Sequence, residues 1–95
     1  MLNGKQKRYL RSLAVNEKAL AQIGKDGLSY NLFNTLDKAL TARELIKVAL
    51  LKTAPLDINA AAIELAAALN CEIVQIIGRH IVLYRLSQAG IIDLP

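Results

Sequence analysis

The sequence predicts an α/β fold: a single compact domain with the element order α-β-α-β-α-β-β, built on a four-stranded mixed sheet with helices packed on it. Three observations lead there. Apolar residues recur at helical spacing in some segments and alternate or run together in others. The helical segments fall between strands, so the connections are crossovers and only the last strand pair can be a simple hairpin. The chain has 95 residues, which fits one domain over 1–95, with a core over about 3–85 and a tail over 86–95.

Asn3 stands where it can cap a first helix that runs to about Ala14. Tyr9, Leu10 and Leu13 share one face of that helix, and Lys7, Arg8 and Arg11 share a neighbouring one. Ala19 to Ile23 reads as a short strand of weak strand formers, assigned by context, and the loop Gly24-Lys25-Asp26-Gly27 follows. A second helix opens at Leu28-Ser29 and runs to about Ala42, with Ser29 as its N-cap and Leu28 and Phe33 at the positions of a hydrophobic staple. Leu32, Leu36 and Leu40 mark its core face.

Leu45 to Leu51 is the next strand, in which Ile46, Val48 and Leu50 alternate with Lys47 and Ala49; Thr53-Ala54-Pro55 breaks it. Asp57 caps a helix from Ile58 to about Leu69, whose alanines favour helix and allow close packing on a sheet. Asn70 can take the left-handed conformation that ends it. Glu72–Ile77 and His80–Arg85 are strands joined by Gly78-Arg79, where glycine in the first position suits a type II′ turn. Leu86 to Pro95 carries no clear pattern; its Ile91, Ile92 and Leu94 either pack on the body or remain mobile.

Composition narrows the chemistry. Hydrophobic residues are 54% of the chain and aromatics 4%, so the core is aliphatic and must be dense in a domain this small. Twelve Lys and Arg against eight Asp and Glu give +4, which favours a polyanion partner only moderately. The distribution says more: Lys5, Lys7, Arg8, Arg11 and Lys18 fall in the opening segment, with Glu17 its only acid. A single cysteine, Cys71, permits no internal disulfide and suits a reducing, cytoplasmic setting. No apolar segment has the form of a signal peptide or the length of a membrane helix, so no membrane partner is expected.

The loop carries the binding chemistry. It joins a strand to the first turn of a helix, whose leading N–H groups lack intrahelical partners and sit at the positive end of the dipole. An anionic phosphate fits there. Two glycines let the backbone turn sharply and let a sugar-phosphate chain approach without meeting a Cβ atom. Lys25 adds a mobile charge, whereas Asp26 must point away or cap the next turn. A GXXG loop that clamps backbone is the device used by KH domains, although tight turns in general often carry two glycines.

Five segments together carry a resemblance. They are Lys5-Gln6-Lys7-Arg8-Tyr9-Leu10-Arg11, Gln22-Ile23-Gly24-Lys25-Asp26-Gly27-Leu28, Glu44-Leu45-Ile46-Lys47-Val48, Val74-Gln75-Ile76-Ile77-Gly78-Arg79 and Ile81-Val82-Leu83-Tyr84-Arg85. In order and spacing the chain resembles the bacterial YhbY family, single-domain members of the CRM group (chloroplast RNA splicing and ribosome maturation), over Lys5 to Arg85. The resemblance implies a sheet fold like the C-terminal domain of translation initiation factor three. It also implies RNA binding through Gly24 to Gly27 and association with precursors of the large ribosomal subunit. The chain departs from the family at Val15, Asn16 and Arg43, where members often have His, and at Ala19, where they often have Pro.

His80 is the only histidine, so a metal site or Cys-His pair lacks ligands, and Cys71 reads as a buried filler. Glu44 and Glu64 are not placed in one cleft by anything in the sequence. No phosphate loop of the Gly-Lys-Ser/Thr kind and no serine elbow is present. The expectation is therefore no enzyme activity, no cofactor, no metal and no small-molecule substrate. Arg79, Tyr84 and Arg85 read either as an ordinary strand with Tyr84 partly exposed or as a stacking and phosphate surface. The expected RNA-binding set is Lys5, Lys7, Arg8, Arg11, Gly24, Lys25, Asp26, Gly27, Arg43, Arg79 and Arg85. The expected partner is RNA, namely ribosomal RNA of large-subunit precursors, bound by a monomer. Alternatives are a general RNA chaperone or regulator of structured RNAs, or a protein-interaction module whose basic face meets an acidic protein.

Overall fold

The first helix begins where a polar side chain can take up its free N–H groups. In the computed structural model, which describes residues 2–95, Asn3 accepts from the Gln6 N–H while the Gln6 side chain accepts from the Asn3 N–H, a reciprocal cap on α1 (Gly4–Ala14). The remaining elements are β1 (Ala21–Ile23), α2 (Tyr30–Arg43), β2 (Leu45–Leu50), α3 (Ile58–Leu69), β3 (Glu72–Ile77) and β4 (His80–Tyr84). Ser29 caps α2, Asp57 caps α3, and Asn70 ends α3 in the left-handed region at φ 52. Gly78 has φ 58 while Arg79 does not turn positive, the signs a type II′ hairpin needs. β1 starts two residues later than its sequence suggests. Ala19 is exposed, and Leu20 donates only a single backbone bond to Lys47.

The sheet order is β1-β2-β4-β3, with β1 parallel to β2 and both other pairs antiparallel. β3 therefore runs parallel to β2 with β4 between them, and α3 must cross over β4. Strand side chains alternate between two apolar layers. Ile46, Val48, Leu50, Ile81 and Leu83 pack with Leu36 and Leu40 of α2 and Leu65 and Leu69 of α3. Leu45, Val82 and Tyr84 pack on the other face with Leu10 and Ala14 of α1. The β3–β4 register shifts between Ile73 and Gln75. That extra residue reverses the alternation, so Ile73 and Ile76, three apart, both reach the α2–α3 layer while Val74 faces α1.

The tail packs on the body. Ile92 and Leu94 join the α1 layer, and Glu44 holds the tail down. Glu44 is fully buried and has φ 68, a conformation costly for a non-glycine residue. The turn aims its carboxylate inward, where it accepts from the Ser87 hydroxyl at 2.6 Å, the Ser87 N–H at 2.8 Å and the Ile92 N–H at 2.7 Å. Desolvation pushes the Glu44 carboxyl up, but the Ser87 hydroxyl and the N–H groups of Ile92, Ser87 and Ile91 outweigh it and hold the group at about 2. A carboxyl with a lowered folded value stabilises fully above its unfolded value of 4.5 and loses that contribution as pH falls through about 2. Thermal unfolding between pH 5 and pH 2 is thus expected to show falling stability, with a shallower decline in Glu44→Gln. Parallel curves for the two proteins would contradict this role.

Candidate nucleic-acid interface

Four residues make the turn at the end of β1. The Gly27 N–H donates to the Gly24 carbonyl at 3.0 Å, which leaves Lys25 and Asp26 at the tip, both exposed. The two glycines are not equivalent. Gly27 is buried at φ +66, and a Cβ there would stand 3.3 Å from Pro55 Cγ. The fold itself therefore favours glycine at this position. Gly24 has no positive φ, and a Cβ would meet only Leu51 Cδ1 at an ordinary 3.6 Å. Nothing in the packing of the chain requires glycine at 24.

Beyond the turn, Ser29 Oγ accepts from the Leu32 N–H at 3.1 Å. Ser29, not Asp26, thus caps α2. The next strands are stitched to the turn through the backbone. The Leu51 N–H donates to the Ile23 carbonyl at 2.9 Å, and the Leu50 N–H donates to the Arg79 carbonyl at 2.7 Å. The β1–α2 turn, the start of the β2–α3 connection and the β3–β4 hairpin therefore lie side by side at one end of the sheet. Lys25, Lys52 and Arg79, all exposed, project from three neighbouring strand ends, roughly 4.8 Å apart per strand. On the α1 side of the sheet, the cross-strand row Gln22, Ala49, His80 and Ile77 borders this end. Gln22 and Ile77 are exposed there and His80 is half-buried.

The other basic residues named from sequence lie elsewhere. Arg43 and Arg85 flank Leu45 and Tyr84, at the opposite end of β2, about 17 Å from Leu50 at 3.3 Å per residue. Arg43 is exposed. Arg85 is engaged within the chain. It pairs with Asp37 Oδ1 at 2.8 Å and donates to the carbonyls of Leu69 and Asp37, both at 2.9 Å, and to Thr41 Oγ1 at 3.0 Å. It ties α2 to the free carbonyl at the end of α3, a link carried more by those carbonyls than by the half-exposed ion pair. Lys5 also sits at that far end, since the Leu2 N–H donates to Glu72. Lys7, Arg8 and Arg11 ride on α1, on the sheet face opposite α2 and α3.

Tyr84 is a correction. It is 4% exposed, neither the partly exposed residue of an ordinary strand nor a stacking surface, and its buried hydroxyl has no partner among the described residues. Burial, with the Glu44 charge second, pushes its ionisation up, so it stays a neutral phenol. Cys71 is buried as expected, and burial pushes its thiol up to about 11, so it stays protonated at neutral pH. Sequence reasoning passed over Lys52, whose signal is visible only once β2 is known to end beside the turn. It also left Tyr30 without a role, although at 82% it is the most exposed large apolar or aromatic side chain among the described residues.

Comparison with known proteins gives consistent likenesses. The model of the CRS1 / YhbY (CRM) domain matches residues 2–85. A Bacillus subtilis protein named Probable RNA-binding protein YqeI is 44% identical over 96 residues, covering all of both chains. A Haemophilus influenzae protein named RNA-binding protein is 38% identical over 98 residues, covering 99% of this chain and 95% of its own. The solution structure of the hypothetical protein SAV1595 from Staphylococcus aureus superposes with a TM-score of 0.83 at 48% identity, with both chains covered in full.

Proposed function

The chain belongs to the CRS1 / YhbY (CRM) domain family, and from that premise we propose that it binds RNA, with the Gly24–Gly27 turn gripping the sugar-phosphate backbone. The observation that carries the reading is Gly24, a half-buried glycine that neither its φ nor its neighbours require. A polymer backbone passing close to the turn supplies the missing reason. Lys25, Lys52 and Arg79 surround that approach with positive charge, and the N-terminal end of α2, two residues beyond the turn, adds the positive end of its dipole. Arg8 and Arg11 of α1 extend the basic surface for longer RNA. Arg85 we assign to the fold. The two relatives named as RNA-binding proteins support binding rather than catalysis.

Within this reading, the RNA is ribosomal RNA of large-subunit precursors, met in the cytoplasm by a monomer. Crosslinking in cells followed by sequencing of the bound RNA tests the destination. Enrichment of large-subunit ribosomal RNA is the expected result, whereas a profile spread over messenger RNAs would favour a general chaperone. Contact chemistry has its own test. Lys25→Ala is expected to weaken different RNAs about equally and to flatten the dependence of log K on log salt by about 0.7 to 0.9, the share of one phosphate. An unchanged slope would remove Lys25 from the contact surface.

A further inference from the structure

We propose that Tyr30 is a base-stacking platform beside the turn, so that the site takes an unpaired nucleotide and not a continuous duplex. This rests on the reading of the turn as a backbone clamp and adds to it the class of RNA that fits.

Tyr30 is the first residue of α2, three positions beyond Gly27, and it is 82% exposed. The fold does not use it. Leu28, Leu32 and Phe33 around it pack into the α2–α3 layer, and the cap belongs to Ser29. At helical spacing Tyr30 shares its stripe with Asn34, Asp37 and Thr41, all exposed. It is the one aromatic residue on that stripe of α2, and it stands at the end of the helix where the clamp is. An aromatic ring offers a rigid face at low entropic cost. A nucleobase stacks on such a face whatever its identity, and the neighbouring lysines hold its phosphate. Stacking needs a base whose own face is free. In an A-form duplex the faces are covered by neighbouring pairs, whereas in loops, bulges and single strands they can be splayed out.

The test measures binding of the full chain to a single-stranded oligouridylate of about twelve nucleotides and to a blunt RNA duplex of similar length. Tyr30→Ala is expected to weaken the single strand by roughly 5- to 150-fold, the equivalent of one lost base stack, with no change for the duplex. Tyr30→Phe keeps the ring and should bind as the parent does. The salt slope of Tyr30→Ala should also match the parent, because no phosphate contact is lost. Equal weakening of both RNAs by Tyr30→Ala would overturn the stacking role. So would unchanged binding of the single strand while Gly24→Asp weakens it, an outcome that leaves the clamp standing. If neither substitution alters binding, both readings fall.

Discussion

Gly24→Asp is expected to leave a folded protein whose affinity for RNA is lower by roughly 3- to 100-fold. The range follows from placing one negative charge about 6 Å from a phosphate at an effective dielectric between about 20 and 80. Folding should be spared, because the added Cβ meets Leu51 at 3.6 Å and Gly24 has no positive φ. Gly24→Ala is the companion variant: it adds the atom without the charge and reports how closely the RNA backbone approaches. Gly27 cannot serve this purpose. An aspartate there suits the helix dipole, yet its φ of +66 and the 3.3 Å approach to Pro55 add backbone strain of about 1 kcal/mol or more. Weak binding by Gly27→Asp would then confuse a damaged fold with a lost contact. Thermal unfolding and RNA titration on the Gly24 variants separate the two. A stable Gly24→Asp protein with parental affinity would end the clamp reading.

The largest loss of stability is expected from the layer beneath that turn. Leu36 is completely buried between α2 and the sheet, in the cluster that holds Ile23, the residue just before Gly24. Leu36→Ala removes three carbons from a close-packed site and should cost roughly 2–5 kcal/mol. For a domain of this size the melting temperature should fall by about 8 °C or more. Calorimetry gives the value directly, and a melting temperature equal to the parent would place the apolar face of α2 elsewhere.

Residues whose meaning is local were legible in the sequence. Asp57 and Asn70 mark the ends of α3 because a cap side chain and a left-handed residue act on their own helix. Gly78 marks its hairpin in the same way. What was not legible depends on pairing across the sheet. The shifted register near Val74 cannot be seen until β4 is its partner. Arg43 and Lys25 look alike in sequence, both beside helix α2, yet the helix and the parallel strand pair separate them to opposite ends of the sheet. Arg85 looked like a free cation until the carbonyl of Leu69 and the side chain of Asp37 came within reach. Glu44 looked like an ordinary helix-end acid, because its three hydrogen bonds come from residues more than forty positions away.

The two ends of the described chain meet. The Leu2 N–H donates to Glu72, Leu94 packs in the same layer as Leu2, and the Gln6 side chain donates to the Pro95 carbonyl at 3.3 Å. Both lie beside the start of β3, whereas the Gly24–Gly27 turn stands past the far ends of the strands. A protein tethered to a sensor surface, or joined to a dye or a second domain, through either end would hold its turn facing away from the attachment. Immobilisation by that route should leave RNA access unchanged.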